Sequence, residues 1–521
     1  MSQPYRLPLP DRTFFPGSRL WLVAGLLSAL LVQTIAAAEN SSASGGKLHC
    51  FVTRQGGRLF EGTNEFRFLG LAAPNLHQNE SQLQPDFGNR FPDEFEITDT
   101  LESLRQMGAR ATRCFSLSIF SAENQGVPVY IEGPGRYNEK AFRTLDKALQ
   151  VCNEKGIRLI LPVIASQSFW GWRGVDEFAA FRNQPGTNFW SNPQLRQDYK
   201  NLLRDLVNRT NTFTGIQYKN DPAILAWQAG NELMSYVWDR HLDAAIWKPR
   251  ITAWTIEMAD YLKQIDTNHL FIEGGGDQAA YLAAPSIDII SEHLYEYWAR
   301  QSGQPSDLAL LAREAGTRAG GRKAVIIDEF GMGDAPGLER LMDAIIESDI
   351  AGGLLWSIRP HRRDGGFYYH NENGTRWNSY HWPGFAAGES YDEIRLLASL
   401  SRKAYEIRGL PLPLRPVPAG TPVLFPVQPT GALRWRGCAG ATDYNLARAE
   451  SPDGPWIVIA ERMPDAVIKD VIQFENSKGN ESPAPYIDKT TASGQTYYYR
   501  VQGRNSSGAT GWSNVQKFIS P

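Results

Sequence analysis

Cysteine is scarce in this chain: the 521 residues hold four, at Cys50, Cys114, Cys152 and Cys438. None has the close spacing of a zinc site, and a chain this long can bury enough core to need no disulfide scaffold. Cys114 falls in a strand-like run and Cys152 in a helical pattern, so both are expected as small buried hydrophobes. Basic residues are not in excess either; the formal net charge is −3, which leaves no electrostatic footprint for nucleic acid. No glycine-rich phosphate loop follows the first strand-like run, which argues against nucleotide binding and an open doubly wound sheet. There is no Ser-His-Asp arrangement. Asp266, His269 and Glu273 are close in sequence but straddle a helix end and a strand, so no metal and no cofactor is expected. Long apolar runs are missing too. The best candidate, Leu20 to Ile35, is interrupted by Ser28 and Gln33. It follows Arg6, Arg12 and Arg19 and leads into Ala36-Ala37-Ala38, the layout of a cleavable export signal rather than a membrane span. Export to the periplasm or exterior is the expectation, with membrane contact only if that segment is retained.

What is present is a folded-protein composition, 42% hydrophobic and 21% charged, with 15 Trp and 20 Tyr. Large barrels bury many such rings, and sugar-binding clefts use others as stacking platforms. After residues 1–38 and a Ser/Gly-rich linker at 39–47, eight short apolar runs alternate with amphipathic helices. The runs are Phe66–Asn75, Ala111–Ser118, Arg158–Ala165, Ile224–Glu232, His269–Gly276, Ile287–Tyr295, Lys323–Gly331 and Gly352–Pro360. Near-continuous apolar character marks strands covered on both faces, as in parallel sheets. Between them, Glu139–Lys155 carries Ala141, Leu145, Ala148, Leu149 and Cys152 on one face, with Gly156 at its stop. Eight strands alternating with helices predict an α/β fold, a (β/α)₈ TIM barrel over residues 48–410. A Pro-rich linker (411–425) separates it from a β-patterned stretch, residues 426–521, of a size for a small all-β sandwich.

Two of the runs end in acids. Ile-Leu-Ala-Trp-Gln-Ala-Gly-Asn-Glu closes on Asn231-Glu232, and Lys-Ala-Val-Ile-Ile-Asp-Glu-Phe-Gly carries Glu329. A carboxyl group just past a buried strand is exposed at one rim of the sheet. Two of them from distant strands meet only if the sheet closes or curves strongly. That is the geometry for hydrolysing a glycosidic bond, one acid protonating the leaving oxygen and one carboxylate attacking or assisting.

On these residues the stretch 48–410 resembles the clan A retaining glycoside hydrolases, and within them glycoside hydrolase family 5. The resemblance implies that Glu232, after Asn231 on strand four, is the acid/base, and that Glu329 on strand seven is the nucleophile. The family usually has Gly-Glu-Phe-Gly there; this chain has Asp328-Glu329-Phe330-Gly331, a departure that alters local charge. Arg113 on strand two, His293 and Tyr295 on strand six and Trp356 on strand eight also stand where the family has its site residues. Arg113 and Tyr295 would stabilise and orient Glu329, Asn231 would hold a sugar 2-hydroxyl, and His293 would bond a sugar hydroxyl or the acid/base region. Trp356 would form an apolar platform for the sugar. Glu232 is expected to hold its proton through a pKa raised by Glu329 and by burial. The loops Gln167–Trp172, with Trp170 and Trp172, and Arg359–Tyr369, with Arg359 and His361, are expected to shape the subsites. They look more like the β-mannan branches of the family than its cellulases. The substrate implied is therefore a β-1,4-linked mannan or manno-oligosaccharide. An endo-β-1,4-glucanase with the same machinery, and a non-catalytic carbohydrate-binding scaffold, stay open beside it. The tail resembles a fibronectin type III module through Trp435, Tyr444 and the Tyr497–Gly508 stretch followed by Trp512-Ser513-Asn514.

Overall fold

The computed structural model describes residues 48–79, 91–122, 128–168, 172–368, 370–372, 376–377, 379–384, 392–465 and 486–521. The predicted export signal, the 39–47 linker and Trp170 lie outside these residues.

Eight parallel strands form the central sheet: β1 (Phe68–Leu71), β2 (Ala111–Arg113), β3 (Arg158–Pro162), β4 (Ile224–Gln228), β5 (Leu270–Ile272), β6 (Ile289–Tyr295), β7 (Ala324–Gly331) and β8 (Gly352–Leu355). Hydrogen-bonded neighbours run in the order β1-β8-β7-β6-β5-β4-β3-β2. The seam between β1 and β2 is drawn together by Ala73 N–H donating to the Arg113 carbonyl (2.8 Å) and the Thr112 hydroxyl donating to the Leu71 carbonyl (2.8 Å). The predicted (β/α)₈ barrel is what the chain forms. Each strand is shorter than the apolar run that announced it: β6 and β7 start later than their runs, while in β2, β3, β4, β5 and β8 the run continues past the last ladder bond into the C-terminal rim. His269–Gly276, for instance, contributes a strand of only three residues.

The outer helices are α1 (Glu94–Gln106), α2 (Glu139–Lys155), α3 (Pro193–Asn208), α4 (Ala244–Ile265), α5 (Leu308–Ala319), α6 (Ala335–Glu347) and α7 (Glu393–Glu406). Their ends follow local chemistry. Asp93 and Glu96 form a reciprocal capping box on α1, and Asn138 caps α2, which stops at Gly156 in the left-handed conformation. Apolar residues divide into two layers by strand alternation. Ala111, Ile160, Ala226, Ile272, Ile289, Ile326 and Leu354 fill the barrel, while Leu69, Leu159, Trp227, Phe271, Ile290, Val325 and Leu355 pack under the helices. Cys114 and Cys152 are buried and free, as expected.

A small antiparallel sheet (Val52–Gln55, Arg58–Glu61, Asn64–Glu65) lies at the N-terminal end, where Glu61 pairs with Arg110 and Arg158. At the other end of the chain is an all-β region. Its largest sheet joins Ile457–Met463, Asp443–Ala449 and Thr496–Asn505, with Gly508–Ala509 and Gln516–Ile519 paired to the last of these. It has its own core, including Leu433, Trp435, Tyr444, Leu446, Tyr499 and Val501. This region is bonded to the barrel: Gln106 donates to the Ala439 carbonyl, and the Arg436 guanidinium sits 3.8 Å over the Phe95 ring.

Candidate active site

The rim after β4 is held tightly to β3. Asn231 N–H donates to the Ile164 carbonyl (2.7 Å) and Ser166 N–H to the Asn231 carbonyl (3.1 Å). A side chain on Gly230 would come within 2.7 Å of the Ile164 carbonyl oxygen, so only glycine lets the strands approach this closely. The next turn places Glu232 at φ 47°, a region non-glycine residues rarely occupy and one that clusters at functional sites.

Strand β7 carries an extra residue. Against β6 its register passes from Ser291↔Ile326 to His293↔Glu329, and against β8 from Ile327↔Gly353 to Phe330↔Leu355. In each case β7 advances three positions while its neighbour advances two, which is a β-bulge. Strict alternation would send Asp328 and Glu329 to opposite faces. With the bulge, Ile327 and Phe330 face the helices while Asp328 and Glu329 both turn into the polar cluster at the barrel mouth.

There Arg113, fully buried, organises the site. Its Nε–H donates to Gln228 Oε1 (2.7 Å), one terminal nitrogen donates to Asn231 Oδ1 (2.7 Å), and the other donates to Glu329 Oε1. The Tyr295 hydroxyl donates to Glu329 Oε2 (2.6 Å), and Gln167 donates to Glu232 Oε2 (2.6 Å). His293 sits between the acids, with Nδ1 at 2.8 Å from Glu232 Oε1 and 3.2 Å from Glu329 Oε2. One oxygen of Glu232, one of Glu329 and a ring nitrogen of His293 all lie within 4.8 Å of one another. A divalent ion is not needed to explain that spacing, because Arg113 and Tyr295 already satisfy Glu329.

The electrostatics correct one sequence expectation. Burial pushes the Glu232 carboxyl up, but hydrogen bonds from His293 and Gln167 and the charges of His293 and Arg113 outweigh it, so the net direction is down. The decisive neighbour is His293. Burial lowers its pKa, but Glu329, Asp328 and Glu232 more than compensate and push it well above its ordinary range. The surrounding charges thus favour a proton on His293 over one on Glu232, 2.8 Å away. For Glu329, burial raises the carboxyl and repulsion from Glu232 adds to this, exceeding the pull of His293, Arg113 and Tyr295. A nucleophile must be ionised, so the acid limb of kcat/KM should lie above pH 4.5, the ordinary value for glutamate. A pH–rate profile will place that limb.

The structure thus brings together Glu232, Glu329, Arg113, Asn231, His293 and Tyr295. Trp356, 5% exposed, shares the barrel-mouth cluster with Tyr295 and Phe115. The other predicted subsite residues are placed differently. Trp172 is 1% exposed and packs edge-on to Phe115, so it supports the site wall and presents no stacking face. Arg359 is fully buried and donates to Asn75 (2.6 Å). His361 has both ring nitrogens engaged, Nδ1 by Asp99 on α1 and Nε2 by Asp465 of the all-β region, so none is left for a sugar. The loop after β8 is pinned to α1, with Tyr368 donating to Glu96 (2.8 Å) and Arg363 pairing with the same carboxylate. Those contacts hold His361, Arg363 and Tyr368 against α1. Sequence reasoning missed Gln228, whose signal was polarity inside an otherwise apolar strand, and gave Asp328 no role at the site beyond a change in local charge.

The family profile described as GH family 5 beta-mannosidase-like matches residues 175–297, the stretch holding Asn231, Glu232, His293 and Tyr295. The chain is 27% identical over 353 residues to putative mannan endo-1,4-beta-mannosidase P of Arabidopsis thaliana, spanning 60% of this chain and 79% of that protein. It is 31% identical over 195 residues to mannan endo-1,4-beta-mannosidase 4 of Solanum lycopersicum, spanning 36% of this chain and 46% of that one. Over these stretches the chain is similar to the mannosidase-like proteins of glycoside hydrolase family 5. Its fold agrees with that of solved structures: the endo-1,4-beta-mannanase of Rhizomucor miehei superimposes with a TM-score of 0.54 at 18% identity, covering 69% of this chain and 99% of that one. The mannanase of Thermotoga petrophila gives 0.52 at 19% identity, covering 64% and 99%. The all-β region of this chain is an addition beyond the barrel.

Proposed function

We propose that the protein is a retaining glycoside hydrolase that cleaves β-1,4-mannosidic linkages in mannan or manno-oligosaccharides. The observation that carries this is the separation of the acids. Oxygens of Glu232 and Glu329 within 4.8 Å suit double displacement, whereas an inverting enzyme keeps roughly 6.5–9.5 Å between its carboxyls for a water. Glu329, oriented by Arg113 and Tyr295, attacks the anomeric carbon as Glu232 protonates the leaving oxygen. Water activated by Glu232 then releases the sugar from Glu329. Asn231 has its Oδ1 taken by Arg113, so its Nδ2 is left to donate to the sugar 2-hydroxyl. The choice of mannose follows the curated relatives, which are named as mannan endo-1,4-beta-mannosidases. We read residues 1–38 as an export signal on the evidence of their charge and apolar pattern, and the all-β region as a fibronectin type III-like spacer.

A panel of mannan, glucomannan, cellulose and xylan at equal loading tests the substrate. Mannan and glucomannan should be hydrolysed faster by roughly tenfold or more, the discrimination available from a misplaced sugar contact. Proton NMR of the first product should show the β-anomer. Preference for cellulose would make it a glucanase, an α-anomeric product would exclude double displacement, and binding without hydrolysis would make it a scaffold.

A further inference from the structure

One buried charge has no part in the reaction as written above. Asp328 is fully buried, and its Oδ2 accepts from Gln228 (2.9 Å) and lies 3.4 Å from Arg113 Nε. Among the described residues, the neighbour of opposite charge to its Oδ1 is His293 Nε2 at 3.4 Å. A carboxylate placed in a barrel interior is costly unless it is paired, and here the bulge in β7 is what delivers it.

Among the described residues, the charged and titratable groups around the imidazole come from four parts of the barrel mouth. Arg113 comes from β2, Glu232 from the rim after β4, Tyr295 from β6, and Asp328 and Glu329 from β7. Glu273, after β5, is a further buried carboxyl near Asp328. Burial pushes it up to about 8, outweighing backbone donors from Ser291 and Gly275, which favours its neutral form. Asp328 is thus the anion facing the far nitrogen of His293, while the near nitrogen faces Glu232 and Glu329. A carboxylate on one imidazole nitrogen fixes which nitrogen keeps its proton and raises the basicity of the other.

We infer that Asp328 is a positioning residue acting through His293: it keeps Nε2 protonated, so that Nδ1 and Glu232 Oε1 share one mobile proton for the leaving oxygen. This rests on the reading of Glu232 as acid/base. In the first step the glycosidic C–O bond breaks as Glu329 bonds to the anomeric carbon. The mobile proton passes through Glu232 to the departing oxygen, leaving Glu232 ionised and His293 neutral with its proton on Nε2. In the second step water adds to the anomeric carbon, the bond to Glu329 breaks, and the proton lost by water returns to the Nδ1–Glu232 pair.

The test is Asp328→Asn, assayed on a manno-oligosaccharide and on 2,4-dinitrophenyl β-mannoside, whose leaving group departs without a proton. Removing the anion lets the pair lose its proton at lower pH. The alkaline limb of kcat/KM on the oligosaccharide should therefore move down by about one pH unit or more. Glycosylation by the activated substrate should change much less. Superimposable profiles, or equal loss on both substrates, would overturn the inference. The wild-type protein gives a measurement independent of the variant's folding. ¹⁵N NMR of labelled histidine, with His293 assigned through His293→Gln, should show Nε2 protonated across the active pH range, and an Nε2 that is bare at neutral pH would also overturn it. Glu232→Ala separates the two readings. If that variant still hydrolyses the oligosaccharide normally, the role of Glu232 fails. If it is inactive, an unshifted Asp328→Asn profile removes Asp328 alone.

Discussion

Glu329→Ala should fold normally and lose turnover by roughly 10⁴-fold or more, since the displacement loses its nucleophile. The fold should survive because Arg113, the side chain most exposed to the loss, keeps Gln228, Asn231 and Asp328 as partners. Glu232→Ala should cost roughly 10²–10⁴-fold on substrates with poor leaving groups, the usual worth of a general acid. Added azide distinguishes the two roles. In Glu329→Ala the vacated space lies on the face opposite the leaving group, so azide should yield the α-mannosyl azide. In Glu232→Ala the covalent intermediate still forms, and azide entering from the other face should yield the β-anomer. Product NMR reads both. The same anomer from both variants, or undiminished hydrolysis in Glu329→Ala, would break the assignment of roles.

How much of this was legible in the chain depends on how local the signal is. The eight barrel strands could be read because parallel strands buried on both faces give continuous apolar runs, and the helices because their caps and stripes are local. Glu232 and Glu329 could be read because acids at strand ends stand out from those runs. The charge state of Glu232 could not. It depends on the contact with His293, 61 positions away, which the sequence order does not reveal. Asp328 was visible only as a departure from the family pattern. Its inward direction comes from a register shift between β7 and both neighbours, which alternation read along one strand would misplace. Arg359 and His361 failed for a related reason. A polar-aromatic loop past a catalytic strand looks alike whether it turns toward the cleft or, as here, packs against α1 and the all-β region.

His361 consequently becomes a stability residue, and His361→Leu should destabilise the protein by about 3–5 kcal/mol, because two aspartates are left buried without their cation. The ring is 1% exposed, with Nδ1 2.9 Å from Asp99 and Nε2 2.7 Å from Asp465, whose Oδ2 also accepts from the Tyr444 hydroxyl (2.5 Å). Burial lowers the pKa of His361, but the two aspartates prevail and push it up to about 10. A group whose folded pKa lies above its unfolded value stabilises fully below the unfolded value, near 6.5, and loses that contribution as pH rises through the folded one. The wild-type protein should therefore lose stability between about pH 6.5 and pH 10, by about 4 kcal/mol from this residue. His361→Leu should start lower and lack that slope. Urea unfolding at several pH values, followed by a barrel signal and a signal from the all-β region, checks both points. If the link also couples the two regions, the variant should separate their transitions. Equal midpoints and equal pH slopes in variant and wild type would show that the buried histidine carries no such weight.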